Sequence, residues 1–141
     1  MPKKGLVKAG VPAWCLRWQD VLGLSDWDID VAVVPHAQLM AKHDNAFIMG
    51  NCCVNDEHKK AWISVLDPDT DVKPDGRMEF DLEHTLLHEH LHISFDPLDR
   101  IFENMVGLLG DEAKALMRKS YRSAMEQIVN QMAKAFRRVK K

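Results

Sequence analysis

No stretch of this chain approaches the 18 or more consecutive apolar residues of a membrane-crossing helix, so no transmembrane span is expected. The opening Met1-Pro2-Lys3-Lys4-Gly5-Leu6-Val7-Lys8 is basic but has no apolar core, so no secretory signal is expected there. Cysteines number three, and Cys52 and Cys53 are adjacent. That is a poor disulfide framework, and it points to a reducing, cytoplasmic setting. On a strand the vicinal pair would send its side chains to opposite faces, which suits packing better than metal binding. Neither sign of charge dominates, and the net charge of −2 decides nothing about nucleic acid. Basic residues gather at the ends (Lys3, Lys4, Lys8; Lys134, Arg137, Arg138, Lys140, Lys141). Tails of this kind usually just solvate, so neither a nucleic-acid nor a membrane partner is expected. There is no internal repeat and no low-complexity segment.

What is present is an ordinary soluble composition, 46% apolar and 28% charged, over 141 residues. That length suits one domain, residues 1–141, with loose basic ends at 1–11 and 139–141. Histidine is plentiful: His84, His88, His90 and His92 crowd together among 7 in all.

His88-Glu89-His90-Leu91-His92 reads as H-E-x-x-H. On a helix, residues four apart share a face, so His88 and His92 can direct ring nitrogens at one ion. Glu89 stands about 100° round the helix, able to reach a water on that ion without being a ligand. Imidazole suits zinc, and three protein ligands leave a fourth position for water. Zinc lowers the pKa of such a water towards roughly 7, and a nearby Glu can take its proton. The local context fits a helix. Residues 80–95 hold no Gly or Pro, Asp81 can cap, and Leu82, Leu86 and Ile93 form an apolar back opposite His88. Pro97 is expected to stop it.

The neighbouring histidines sort by geometry. His84 and His92 are roughly 12 Å apart along a straight helix, so one ion cannot take both together with His88. The rival pair His84/His88 has Thr85 where the base should be, which leaves His88/His92. His90 turns about 200° away, towards the leucines, and reads as a hydrogen-bonded core or surface histidine. His84 reads as a partly exposed histidine near the site.

Apolar spacing predicts a helix over 12–24 and an alternating strand over 27–34. A loop or short helix follows over 35–45. Strands at 46–54 and 60–66 flank a hairpin turn at 55–59, and 67–76 reads as a loop. Beyond the metal helix, residues 97–109 are helical, Gly110 is a stop, Asp111 a cap, and a last helix runs to about residue 138. The expected class is α+β: a small, mainly antiparallel sheet with an N-terminal helix, the H-E-x-x-H helix packed on it, and C-terminal helices. The 46–54 segment is the candidate edge strand for taking up an extended peptide.

Two imidazoles need a third protein ligand. Asp96 and Asp99 could supply it after a bend at Pro97. Glu103, Glu112 and Glu126 are candidates on later helices. Glu103 falls on a polar side, and Glu112 is explained by the helix dipole alone. Glu126 sits at the rim of the stripe Tyr121, Met125, Val129, Met132 and Phe136, where it can face a cleft, and is preferred. Asp96 and Asp99 stay open as alternatives.

The segment from Glu126 through Asn130 to Phe136 resembles the glutamate helix of gluzincin metallopeptidases. There a ligand Glu is followed four residues on by a polar residue that can brace a ligand His; Asn130 stands where an Asp is frequent. The whole chain is similar to compact H-E-x-x-H zincins of the small type encoded by bacteria and their phages. The metzincin branch is rejected, because its Gly and third-His positions hold Phe95 and Leu98. The resemblance implies zinc-dependent hydrolysis of a peptide or protein substrate, with Glu89 as general base and His88, His92 and Glu126 as ligands. One alternative is a metal hydrolase of another substrate such as RNA, whose H-x3-H-x5-H pattern would want a third His at Leu98. The other is a zinc-stabilised binding module without catalysis.

Overall fold

The computed structural model describes residues 14–40, 49–67 and 81–139. The expected basic arm at 1–11, residues 41–48, the loop beyond Asp67 and the final two lysines lie outside them. The elements run α1 (Trp14–Val21), β1 (Asp28–Val34), α2 (His36–Met40), β2 (Gly50–Asn55), β3 (Lys60–Leu66), α3 (Leu82–Val106) and α4 (Asp111–Val139). The fold is α+β, as the order of periodicities implied. Among the described residues no helix is long and apolar enough to cross a membrane.

Helix α1 ends in a left-handed glycine. Gly23 has φ +70, Leu24 N–H donates to Gln19 O at 2.9 Å, and Gly23 N–H donates to Asp20 O at 3.0 Å. This pairing closes the orphan carbonyls of the last turn. The Gln19 amide then donates to Leu24 O and Trp27 O at 3.0 and 2.8 Å, steering the chain into β1.

The sheet order is β1-β3-β2. Strand β3 takes the centre because it is the most apolar on one face: Ala61, Ile63 and Val65 are buried, while Trp62 on the other face is exposed. β2 pairs antiparallel to β3 as the expected hairpin, through a turn over 56–59 rather than 55–59, with Asn55 opposite Lys60. β1 pairs parallel to β3, Asp28 opposite Lys60 through Val34 opposite Leu66. The sheet is therefore mixed rather than mainly antiparallel. An alternating strand such as β1 satisfies its ladder in either direction, so its own pattern does not set the sense. Leu24, Leu86 and Ile93 close the core over Ala61, Ile63 and Val65.

Asp81 caps α3: its carboxylate accepts from His84 N–H at 3.0 Å, with Arg137 of α4 on its other oxygen. The helix does not stop at Pro97. It runs through to Val106, merging the two helices expected on either side. An interior proline forfeits one backbone hydrogen bond and costs about 3 kcal/mol. Packing on both flanks outweighs that loss. Ile93 is buried against the sheet, and Phe102 stacks on Tyr121 with ring centroids 3.9 Å apart. After a short turn, α4 starts with Asp111 and Glu112 and ends with Arg137 and Arg138, each sign matched to its end of the helix dipole.

Helices α3 and α4 form an antiparallel hairpin held in one register. Glu103 pairs with Arg118, Asp99 accepts from Tyr121 OH at 2.6 Å, and Arg137 reaches Asp81 and Glu83. Between those rungs lie the histidines.

Candidate metal centre

The spacing that put His88 and His92 on one face does so here. Their Nε2 atoms are 3.0 Å apart. Glu126 arrives from α4 and straddles them, Oε2 at 3.1 Å from His88 Nε2 and Oε1 at 3.1 Å from His92 Nε2. Among the described residues these three make the one group of His, Cys, Asp or Glu able to share an ion, their ligand atoms all within 4.8 Å. Tetrahedral zinc with bonds of 2.0–2.1 Å needs ligand atoms about 3.3 Å apart, close to the edges observed. Two imidazole lone pairs and a carboxylate facing one another at 3 Å require a cation or protons between them. The donor set of two nitrogens and one oxygen suits zinc.

Asn130 completes the arrangement. Its Oδ1 is 2.9 Å from His88 Nδ1 and 3.3 Å from His84 Nε2. An amide oxygen only accepts, so His88 donates from Nδ1, which leaves Nε2 able to offer a lone pair to an ion. The brace that the resemblance implied is thus made by an amide. His84 does not join the ligand group; it holds Asn130 and lines the cleft.

Glu89 is buried beside the pair. Burial pushes its carboxyl up to about 7; the positive His88 and His92 oppose the rise and the Glu126 charge adds to it. A base poised near neutrality is the condition for taking and returning a proton. His88 is held above its ordinary value: burial opposes this, but the Glu126 hydrogen bond and the Glu89 charge outweigh it. With no ion between them, hydrogen bonds from His88 and His92 hold Glu126 far below the carboxylate range. His90 is buried on the sheet side with Nδ1 2.6 Å from Leu86 O, as its helical angle required; burial lowers its pKa.

The alternatives for the third ligand lie elsewhere. Asp96 pairs with Arg100 at 3.0 Å, and Asp99 takes the Tyr121 hydroxyl. Both line the cleft, but neither belongs to the ligand group. Glu103 is engaged by Arg118, and Glu112 is exposed at the start of α4.

The cleft, about 550 Å³, lies between α3, α4 and β2. Its sheet wall includes Gly50, and a Cβ there would stand 2.7 Å from Glu89 Oε1 and 2.9 Å from Thr85 Cγ2. Only glycine lets the edge strand lie this close to Glu89. Gly50 is not among the residues that the metal motif singles out, although an isolated glycine in a strand is itself a sign of close backbone approach. Cys52 lines the cleft and Cys53 is exposed, as alternation required. Burial pushes the Cys52 thiol up, away from the thiolate a metal would need.

No protein-family profile, curated protein or solved structure matches this chain.

Proposed function

We propose that the chain is a zinc-dependent peptidase, with His88, His92 and Glu126 as ligands and Glu89 as general base. The observation that carries the reading is the convergence of three ligand atoms within 4.8 Å, beside a buried carboxylate that lines the same cleft. Zinc, when bound, supplies a Lewis acid that polarises a carbonyl and acidifies water. The chain's own residues do the rest. Glu89 accepts a proton from the attacking water as the new C–O bond forms, and returns it to the amide nitrogen as the C–N bond breaks. Asn130 keeps the His88 ring in one tautomer throughout. β2 is an edge strand whose Gly50, Asn51 and Cys52 border the cleft, so an extended peptide can add to it by backbone hydrogen bonds. Cys52 and Cys53 are free thiols, in keeping with a reducing, cytoplasmic setting.

The competing reading, a zinc-stabilised binding module, has no use for a buried Glu89 pressed against a glycine. Zinc-loaded wild type and Glu89→Gln should be compared for metal content and for cleavage of casein or a peptide library. The expected result is equal zinc and at least ~100-fold slower cleavage by the variant. Equal cleavage by both refutes the mechanism, and zinc without cleavage in the wild type leaves the binding module.

A further inference from the structure

One face of α3 changes character along its length. Leu87, Leu91, Leu98 and Met105 fall within about 40° of one another at 100° per residue. In the first half that face is closed: Leu87 and Leu91 are buried with Trp18 of α1 and Met125 of α4. Past α1 it is bare. Leu98 is 47% exposed, Ile101 56%, Met105 65%, Leu108 88% and Leu109 41%. On α4, Met117 and Ile128 are 45% and 44% exposed, and both stand roughly opposite Glu126 on that helix. The bare face is therefore turned away from the cleft.

Charge is excluded from it. The ionisable residues of this part of α3 are drawn off to other partners: Asp99 to Tyr121, Arg100 to Asp56 and Asp96, Glu103 to Arg118. On α3, Leu98, Ile101 and Met105 are spaced three and four residues apart, the a/d spacing by which helices pack on helices, and Leu108 extends the patch in the turn that follows. Together these seven residues leave on the order of 700 Å² of largely apolar surface open, counting backbone with side chain. That exceeds the roughly 300–600 Å² of the largest patch on a typical monomer. It approaches the ~800 Å² that each partner brings to a standard interface.

We propose that this face is the interface of a homodimer, two α3–α4 hairpins packed together about a two-fold axis. A seam without charge offers nothing for a charged partner to read, whereas two-fold symmetry lays the same apolar patch on itself. The area is close to the ~800 Å² that a standard interface takes from each chain. Both metal clefts face outward, so assembly leaves them open.

The test is the mass of the full chain in solution, by light scattering and sedimentation equilibrium, with and without zinc. The expected mass is twice 16.1 kDa, with a Kd at or below about 1 µM. Ile101→Glu/Met105→Glu should give the single-chain mass, weakening association by at least ~100-fold while leaving zinc binding unchanged. Leu108→Lys, at the most exposed position, should also weaken the dimer and cannot disturb the core. A wild type that stays at the single-chain mass up to about 100 µM overturns the proposal, whatever else it binds. So does a dimer that survives both variants.

Discussion

The amide oxygen of Asn130 accepts a hydrogen bond from His88 Nδ1 at 2.9 Å, tying α4 to the metal helix through one imidazole. Removing it frees the His88 ring to rotate and to change tautomer. Asn130→Ala is expected to weaken zinc binding 10–100-fold, the usual effect of losing such a partner. Asn130→Asp, which keeps the acceptor, is expected to restore it. Competition titration with a chromophoric chelator reads both, and an alanine variant with wild-type affinity contradicts the role.

Gly50 is the second dependence. An added Cβ would lie 2.7 Å from Glu89 Oε1, so Gly50→Ala must push Glu89 or β2 aside. Overpacking of this kind costs about 1–3 kcal/mol. The expected outcome is a lowered melting temperature and a larger loss of turnover than of zinc affinity, because the ligands are not the atoms displaced. Thermal melts and kinetics on the same preparation check it. Unchanged turnover would mean that Glu89 is not positioned by the strand.

The centre also sets a pH dependence. Without metal, His88 is raised above its ordinary 6.5, so its contribution is full below that value and lost as pH rises through the raised one. Glu126 is lowered from 4.5, so its contribution is present above 4.5 and lost as pH falls towards the lowered value. Glu89, raised from 4.5 to about 7, loses stability to deprotonation as pH climbs through that range. His88 and Glu126 together favour a metal-free optimum between 4.5 and 6.5, Glu89 draws it towards the acid end of that window, and stability falls as pH rises beyond it. Zinc reverses the trend, because protons compete for its ligands. The gap in melting temperature between zinc-loaded and chelator-treated protein should widen as pH rises. A gap that does not change with pH contradicts this account.

Much of the centre is legible in the chain because its strongest signals are local. The four-residue spacing of His88 and His92, the apolar back of Leu86 and Ile93 and the Asp81 cap are all written within one helix. Glu126 is a different kind of fact, set by how α4 lies on α3. His92 and Glu126 stand 17 residues before and after Leu109, and His88 and Asn130 stand 21 before and after it. An antiparallel hairpin turning there brings each pair to the same level. The stop expected at Pro97 hides this symmetry, since it breaks α3 into two helices of independent direction. The proline is outvoted by packing at Ile93 and Phe102, which local propensity does not contain. The parallel sense of β1 against β3 is likewise absent from the alternation of either strand.

Zinc affinity tests Glu126 as the third ligand most directly. Wild type, Glu126→Ala, Asp96→Ala and Asp99→Ala should be titrated with zinc against a competing chelator. One zinc per chain is expected, lost or weakened at least ~100-fold only in Glu126→Ala. Unchanged affinity in Glu126→Ala, or an equal loss in Asp96→Ala or Asp99→Ala, would contradict it.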